Sequence, residues 1–134
     1  MADPIAASHF DRPPRWQRFV PAGVFALLTL LMFGDVLFDS TNAVGWKDTD
    51  LMLQFIPWRV FGFDQLRHGH LALWNPHIFG GAPFFAGFQS ALLYPINWLH
   101  LFLPLSIAIN WIVAIHVFLA GWLMSIWGSR CRGS

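Results

Sequence analysis

Residues 104–127 read PLSIAINWIVAIHVFLAGWLMSIW, a stretch without one Asp, Glu, Lys or Arg. About 20 predominantly apolar residues, rising about 1.5 Å each, carry a helix across the ~30 Å hydrocarbon core of a bilayer. The stretch therefore predicts a transmembrane helix, with Pro104 near its start, where a missing N–H does no harm. An earlier run, Phe19 to Phe38, reads FVPAGVFALLTLLMFGDVLF and holds a single charge, Asp35. Arg12, Arg15 and Arg18 precede it, as basic residues precede a cleaved signal peptide. Its apolar run exceeds the roughly 7–15 residues of a signal core, and no small-x-small site follows cleanly, so it reads as a first crossing.

Composition points the same way. The 134 residues are 56% hydrophobic and 11% charged, against about 25% charged in an ordinary soluble domain. The net charge of +1 is spread over small separate groups of Lys and Arg, which excludes a nucleic-acid surface. A single cysteine, Cys131, supplies neither a disulfide framework nor a thiolate ligand set.

Basic residues set the orientation. Arg12, Arg15 and Arg18 lie before the first apolar run and Arg130 and Arg132 after the second, while only Lys47, Arg59 and Arg67 lie between. That bias places both termini in the cytoplasm. The expected organisation is a cytoplasmic segment 1–18, a first transmembrane helix 19–38, an extracytoplasmic loop 39–90, an interfacial or re-entrant segment 91–103, a second transmembrane helix 104–127 and a cytoplasmic tail 128–134. The fold class is thus an all-α membrane protein of two crossings.

A structureless loop as long as 39–90 is improbable, so it should hold elements of its own. Asp48 can cap a membrane-parallel amphipathic helix over about 49–68, closed by His68-Gly69. At 100° per residue Asp50, Gln54, Phe61, Gln65 and His68 share a face, with Leu53, Ile56, Val60 and Phe63 around the rest. Pro57 should kink this helix or start a second one. Residues 73–90, LWNPHIFGGAPFFAGFQS, have the composition of a defined, turn-rich loop.

Asp48 and Asp50, in KDTDLMLQFIPW, lead the residues able to carry chemistry. Carboxylates near a helix N-terminus are favoured in the ionised form. Such acids can act as a general base or bind a divalent cation through hard oxygen ligands. The plainer account makes Asp48 a cap and Asp50 a first-turn acid. Asp35, an acid within a predicted span, reads either as functional or as a side chain snorkelling to the interface. Arg59 and Arg67 would meet an anionic phosphate or headgroup, or simply stay solvated. His68, His70 and His77 are irregularly spaced in a chain with no glutamate, which argues against zinc. His116, inside the second span, should hydrogen-bond to a neighbouring helix.

The ordered set Asp50, Gln54, Pro57, Gly69, Leu73-Trp74-Asn75-Pro76, Gly80-Gly81, Pro83 and Tyr94-Pro95 resembles the N-terminal part of the YfhO-type bacterial membrane proteins, in the wider GT-C-like glycosyltransferase group. The resemblance covers roughly Phe19 to Trp127. It implies the bacterial inner membrane, membrane-parallel helices in the first external loop, and transfer of a sugar from a polyprenyl-phosphate carrier to an extracytoplasmic acceptor. Some members of the group need a divalent cation. Carried onto this chain, the resemblance implies Asp50 as catalytic acid or base, with Asp48 and Asp35 as second choices. Gln54, Arg59, Trp74 and Asn75 would bind substrate, and Asp48 with Asp50 would hold any metal. Family members have many more crossings, so the chain is expected to be a fragment of a larger polytopic fold, inactive alone, with membrane lipid and other membrane chains as partners. The alternative is a non-catalytic two-span protein whose external loop docks onto other membrane components.

Overall fold

A computed structural model describes residues 19–45 and 50–131, and it is mostly helical with little sheet. In chain order it has α1 (Val20–Phe33), a π-helical turn (Leu51–Phe55), α2 (Ile56–Arg67), β1 (Trp74–Asn75), β2 (Ala82–Pro83), a 3-10 turn (Pro95–Trp98), α3 (Leu99–Phe102) and α4 (Leu105–Cys131).

α4 is long and apolar enough to cross a membrane. Its 27 residues span about 40 Å at 1.5 Å each, and it runs four residues beyond the expected Trp127. Leu103 is extended, as a residue before proline prefers, and the Pro104 carbonyl accepts the first helical bond from the Ala108 N–H at 2.9 Å. α1 is shorter than the 19–38 span expected. It has 14 residues, about 21 Å, because regular helix stops at Gly34 and gives way to turns through Phe38. Asp39 then closes the segment: its carboxylate accepts the Thr41 N–H at 2.7 Å, the Thr41 hydroxyl at 2.6 Å and the Asn42 amide at 2.6 Å. Those bonds favour the charged form and hold Asp39 down to about 2.

The two apolar helices pack on each other. Phe33, Leu37 and Ala114 form a buried cluster flanked by Val36, Trp111 and Val113, and Gly121 lets α1 come close. A Cβ there would stand 2.4 Å from the Phe25 ring. Asn110, fully buried on α4, binds the chain that leaves α1. Its amide donates to the carbonyls of Val36 (2.7 Å) and Asn42 (2.8 Å), and its Oδ1 accepts from the Val44 N–H (2.7 Å). Outward, α1 exposes Val24, Leu27, Leu28, Leu31 and Met32, a surface suited to lipid.

Between the two helices a second core forms. Phe63, Ala72, Phe84 and Leu92 are buried together, with Trp58, Phe61 and Leu101 against them. Gly62 makes this possible: a Cβ would meet Leu92 at 2.6 Å and Phe84 at 2.9 Å. The helix expected over 49–68 is present as the π turn followed by α2, with Pro57 in the first turn of α2, where its missing N–H is harmless. The π turn, closed by i→i+5 bonds, shifts the phase of the apolar face. Phe63 is buried, while Leu53 and Val60 of the same apolar set are exposed. The turn-rich stretch is a short antiparallel hairpin, Trp74 opposite Pro83 and Asn75 opposite Ala82. Gly81, at φ +115°, lies under the Trp74 indole, 2.7 Å from where a Cβ would sit. Segment 91–103 lies against this core through Leu92, Asn97 and His100, with Trp98 Nε1 donating to the Leu92 carbonyl at 2.9 Å.

Candidate functional site

α2 presents Arg59, Phe63 and Arg67 one turn apart, along a single stripe that faces the α3–α4 junction. There they line a cavity of about 220 Å³ with His100, Leu103 and Pro104, and Asp64 stands at its edge. Arg59 donates to the Ser90 carbonyl and Arg67 to the His100 carbonyl, which ties α2 to the segment before α4. Among the described residues neither guanidinium pairs with a carboxylate. Asp64 turns instead towards His68, with 3.8 Å between Oδ2 and Nδ1, and both side chains stay more than half exposed.

His100 is 3% exposed, packs against Phe63 at 5.1 Å between rings, and leaves both ring nitrogens without a hydrogen-bond partner among the described residues. Burial, then the positive charges of Arg59 and Arg67, push it down to about 4, so it is neutral near pH 7. Burial likewise presses Arg59 below its ordinary value. The pocket thus combines two cations with a neutral imidazole, one nitrogen of which donates and the other accepts. Such a set binds anions with oxygen acceptors.

The other residues singled out from the sequence lie elsewhere. Asp50 is exposed at the start of the π turn, with Gln54 half-buried one turn on. Asp35 is exposed beyond the end of α1. Asp48 lies outside the described residues. Trp74 is half-exposed over Gly81, and Asn75 is buried in the hairpin, its Oδ1 accepting from the His77 N–H at 2.9 Å. The structure therefore joins Arg59 to Arg67 and His100 but does not bring Asp35, Asp50, Trp74 or Asn75 into that pocket. Among the described residues no three His, Cys, Asp or Glu side chains gather as a metal site.

His116 does find a partner, though from the turn before the 3-10 segment and not from a neighbouring helix. Its Nδ1 lies 2.6 Å from the Ile112 carbonyl and must donate there, which leaves Nε2 to accept from the Tyr94 hydroxyl at 2.8 Å. His100 was not singled out from the sequence. The signal present was a lone histidine in the apolar run INWLHLF, between two prolines. No protein-family model, curated protein or solved structure matches the chain.

Proposed function

We propose that the chain is part of a GT-C-type membrane glycosyltransferase that moves a sugar from a polyprenyl-phosphate carrier to an extracytoplasmic acceptor. In this reading α1 and α4 are two crossings with both ends in the cytoplasm, and residues 39–90 lie outside, at the bilayer surface. The observation that carries it is the small packed domain, Phe63, Phe84 and Leu92 at its centre, tied by Arg67 to α3, the segment that leads into the membrane-length helix. A lipid-borne donor must be met at that level. The apolar outer face of α1 and its contact with α4 support the second crossing. The ordered motifs of the resemblance supply the chemistry. Asp50, exposed one turn before Gln54, serves as general base or as a ligand to a divalent cation, with Asp48 as its neighbour in sequence.

Asp50→Asn removes the base and leaves the shape. With protein level unchanged, it is expected to lower transfer from polyprenyl-phosphate-linked sugars in native membranes by about 10²–10⁴-fold, the usual contribution of a positioned general base. Transfer at the parental rate would remove the assignment of Asp50.

A second reading, a non-catalytic external domain that docks onto other membrane components, is favoured by Phe79 and Phe88, 97% and 73% exposed at the tips of the loop. Asp50→Asn is silent in that reading, whereas Phe79→Ser with Phe88→Ser lowers co-purification of the neighbouring chains.

A further inference from the structure

We propose that Arg59, Arg67 and His100 form a binding pocket for a phosphate group, either the headgroup phosphate of a lipid or free phosphate. Four independent features meet there. The cavity, about 220 Å³, is far larger than the roughly 10–15 Å³ that admits one water. Two guanidinium groups line it without a carboxylate partner among the described residues. Each has spent one donor on a backbone carbonyl, Arg59 on Ser90 and Arg67 on His100, which fixes the head and leaves further N–H groups free. His100 borders the cavity at 3% exposure, and among the described residues both its ring nitrogens are closed off without a partner, a cost that a turn of the ring towards an entering acceptor would relieve.

Phosphate oxygens suit these groups: planar guanidinium forks match them, and the imidazole N–H adds a neutral donor once the ring turns towards the cavity. Pro104 and Leu105, where the membrane-length helix begins, form the other wall, so a helix that enters a bilayer there would put the pocket at headgroup depth. Asp64, the one acid at the cavity, weakens the site without closing it, since its carboxylate is half-exposed and turned towards His68. The pocket does not depend on sugar transfer, and Asp50 is not among the residues lining it.

The test is calorimetric titration of the full chain in an uncharged maltoside detergent with three probes: dihexanoyl phosphatidic acid, inorganic phosphate and phosphate-free dihexanoylglycerol. Phosphatidic acid is expected to bind and the glyceride not to. Saturation by inorganic phosphate at similar strength identifies the phosphate group alone as the ligand; saturation by phosphatidic acid only identifies a lipid headgroup. Arg67→Gln and His100→Phe should each weaken binding at least tenfold, Arg67→Lys less, and Asp64→Asn should strengthen it. Arg67 is exposed at its outer end, so Arg67→Gln carries the test if His100→Phe does not fold. The proposal falls if no phosphate compound saturates, or if binding survives Arg67→Gln unchanged while circular dichroism shows the native helix content. Asp50→Asn should leave phosphate binding intact, which separates this pocket from the catalytic assignment.

Discussion

Asn110 and His100 are both polar and both buried, and differ in what they touch. The Asn110 amide makes three bonds to the segment that follows α1. Asn110→Leu is close in size but strands two carbonyls and one N–H, each unsatisfied group costing about 1–3 kcal/mol. A drop of several degrees in detergent melting temperature is expected, and an unchanged melting curve would mean that water meets those groups. His100 makes no such bonds, and its pH dependence has a definite sign. Its pKa falls from 6.5 in the unfolded chain to about 4 in the folded one. Between those values the unfolded chain binds the extra proton, so stability should be full above about 6.5 and lost progressively as pH falls towards about 4. Melting temperatures taken in steps across that window check it, and His100→Leu should flatten the slope. Both residues were visible in the sequence as isolated polar side chains within apolar runs. Spacing alone could not tell that one would be satisfied and the other left open, because their partners lie far away in sequence or are absent.

At the scale of elements, two close approaches decide the packing, and both are made by glycine. Gly62 brings α2 onto Leu92 and Phe84, and Gly121 brings α4 onto Phe25. Gly62→Val overfills a formed core and should cost about 1–3 kcal/mol, read as faster proteolysis of the domain around Phe63. Gly23→Ala is the control: nothing lies within 4 Å of its Cβ, and alanine in a helix interior is better than glycine by about 0.5–1 kcal/mol, so stability should hold or rise. A loss at Gly23 equal to that at Gly62 would overturn the packing account, because propensity alone favours the change at Gly23. Much of this layer could be read in advance. Pro57 marked a break, Pro104 marked the start of α4, and Gly80-Gly81 marked a turn. The π turn could not be read, since its i→i+5 bonding leaves no periodic trace in five residues. Leu53 lies within that turn and is exposed, and Val60, within α2, is exposed because the core closes on the Phe63 side. Of the candidate site, Arg59 and Arg67 were legible as cations able to meet a phosphate or headgroup, but the wall supplied by His100 depends on how segment 91–103 folds back.

For the whole molecule the question is on which side of a bilayer the domain packed around Phe63 stands, because sugar transfer to an extracytoplasmic acceptor needs it at the outer surface. Among the described residues α4 alone has crossing length; α1 reaches about 21 Å, short of a ~30 Å core, and relies on the turns through Phe38 to approach it. A shallow hairpin with both helices entering from one face and a true two-span arrangement therefore differ in where the ends of α4 lie. Cys131, free and exposed at the end of α4, reports one end. Phe79, 97% exposed at the hairpin tip, reports the other when changed to cysteine. If the arginines hold both termini inside, a membrane-impermeant maleimide on intact cells should label Phe79→Cys in a Cys131→Ser background and leave Cys131 of the parent untouched until the membrane is opened. Labelling of Cys131 from outside, with Phe79→Cys protected, would reverse the orientation and leave Asp50 and the arginine pocket facing the cytoplasm, away from any extracytoplasmic acceptor.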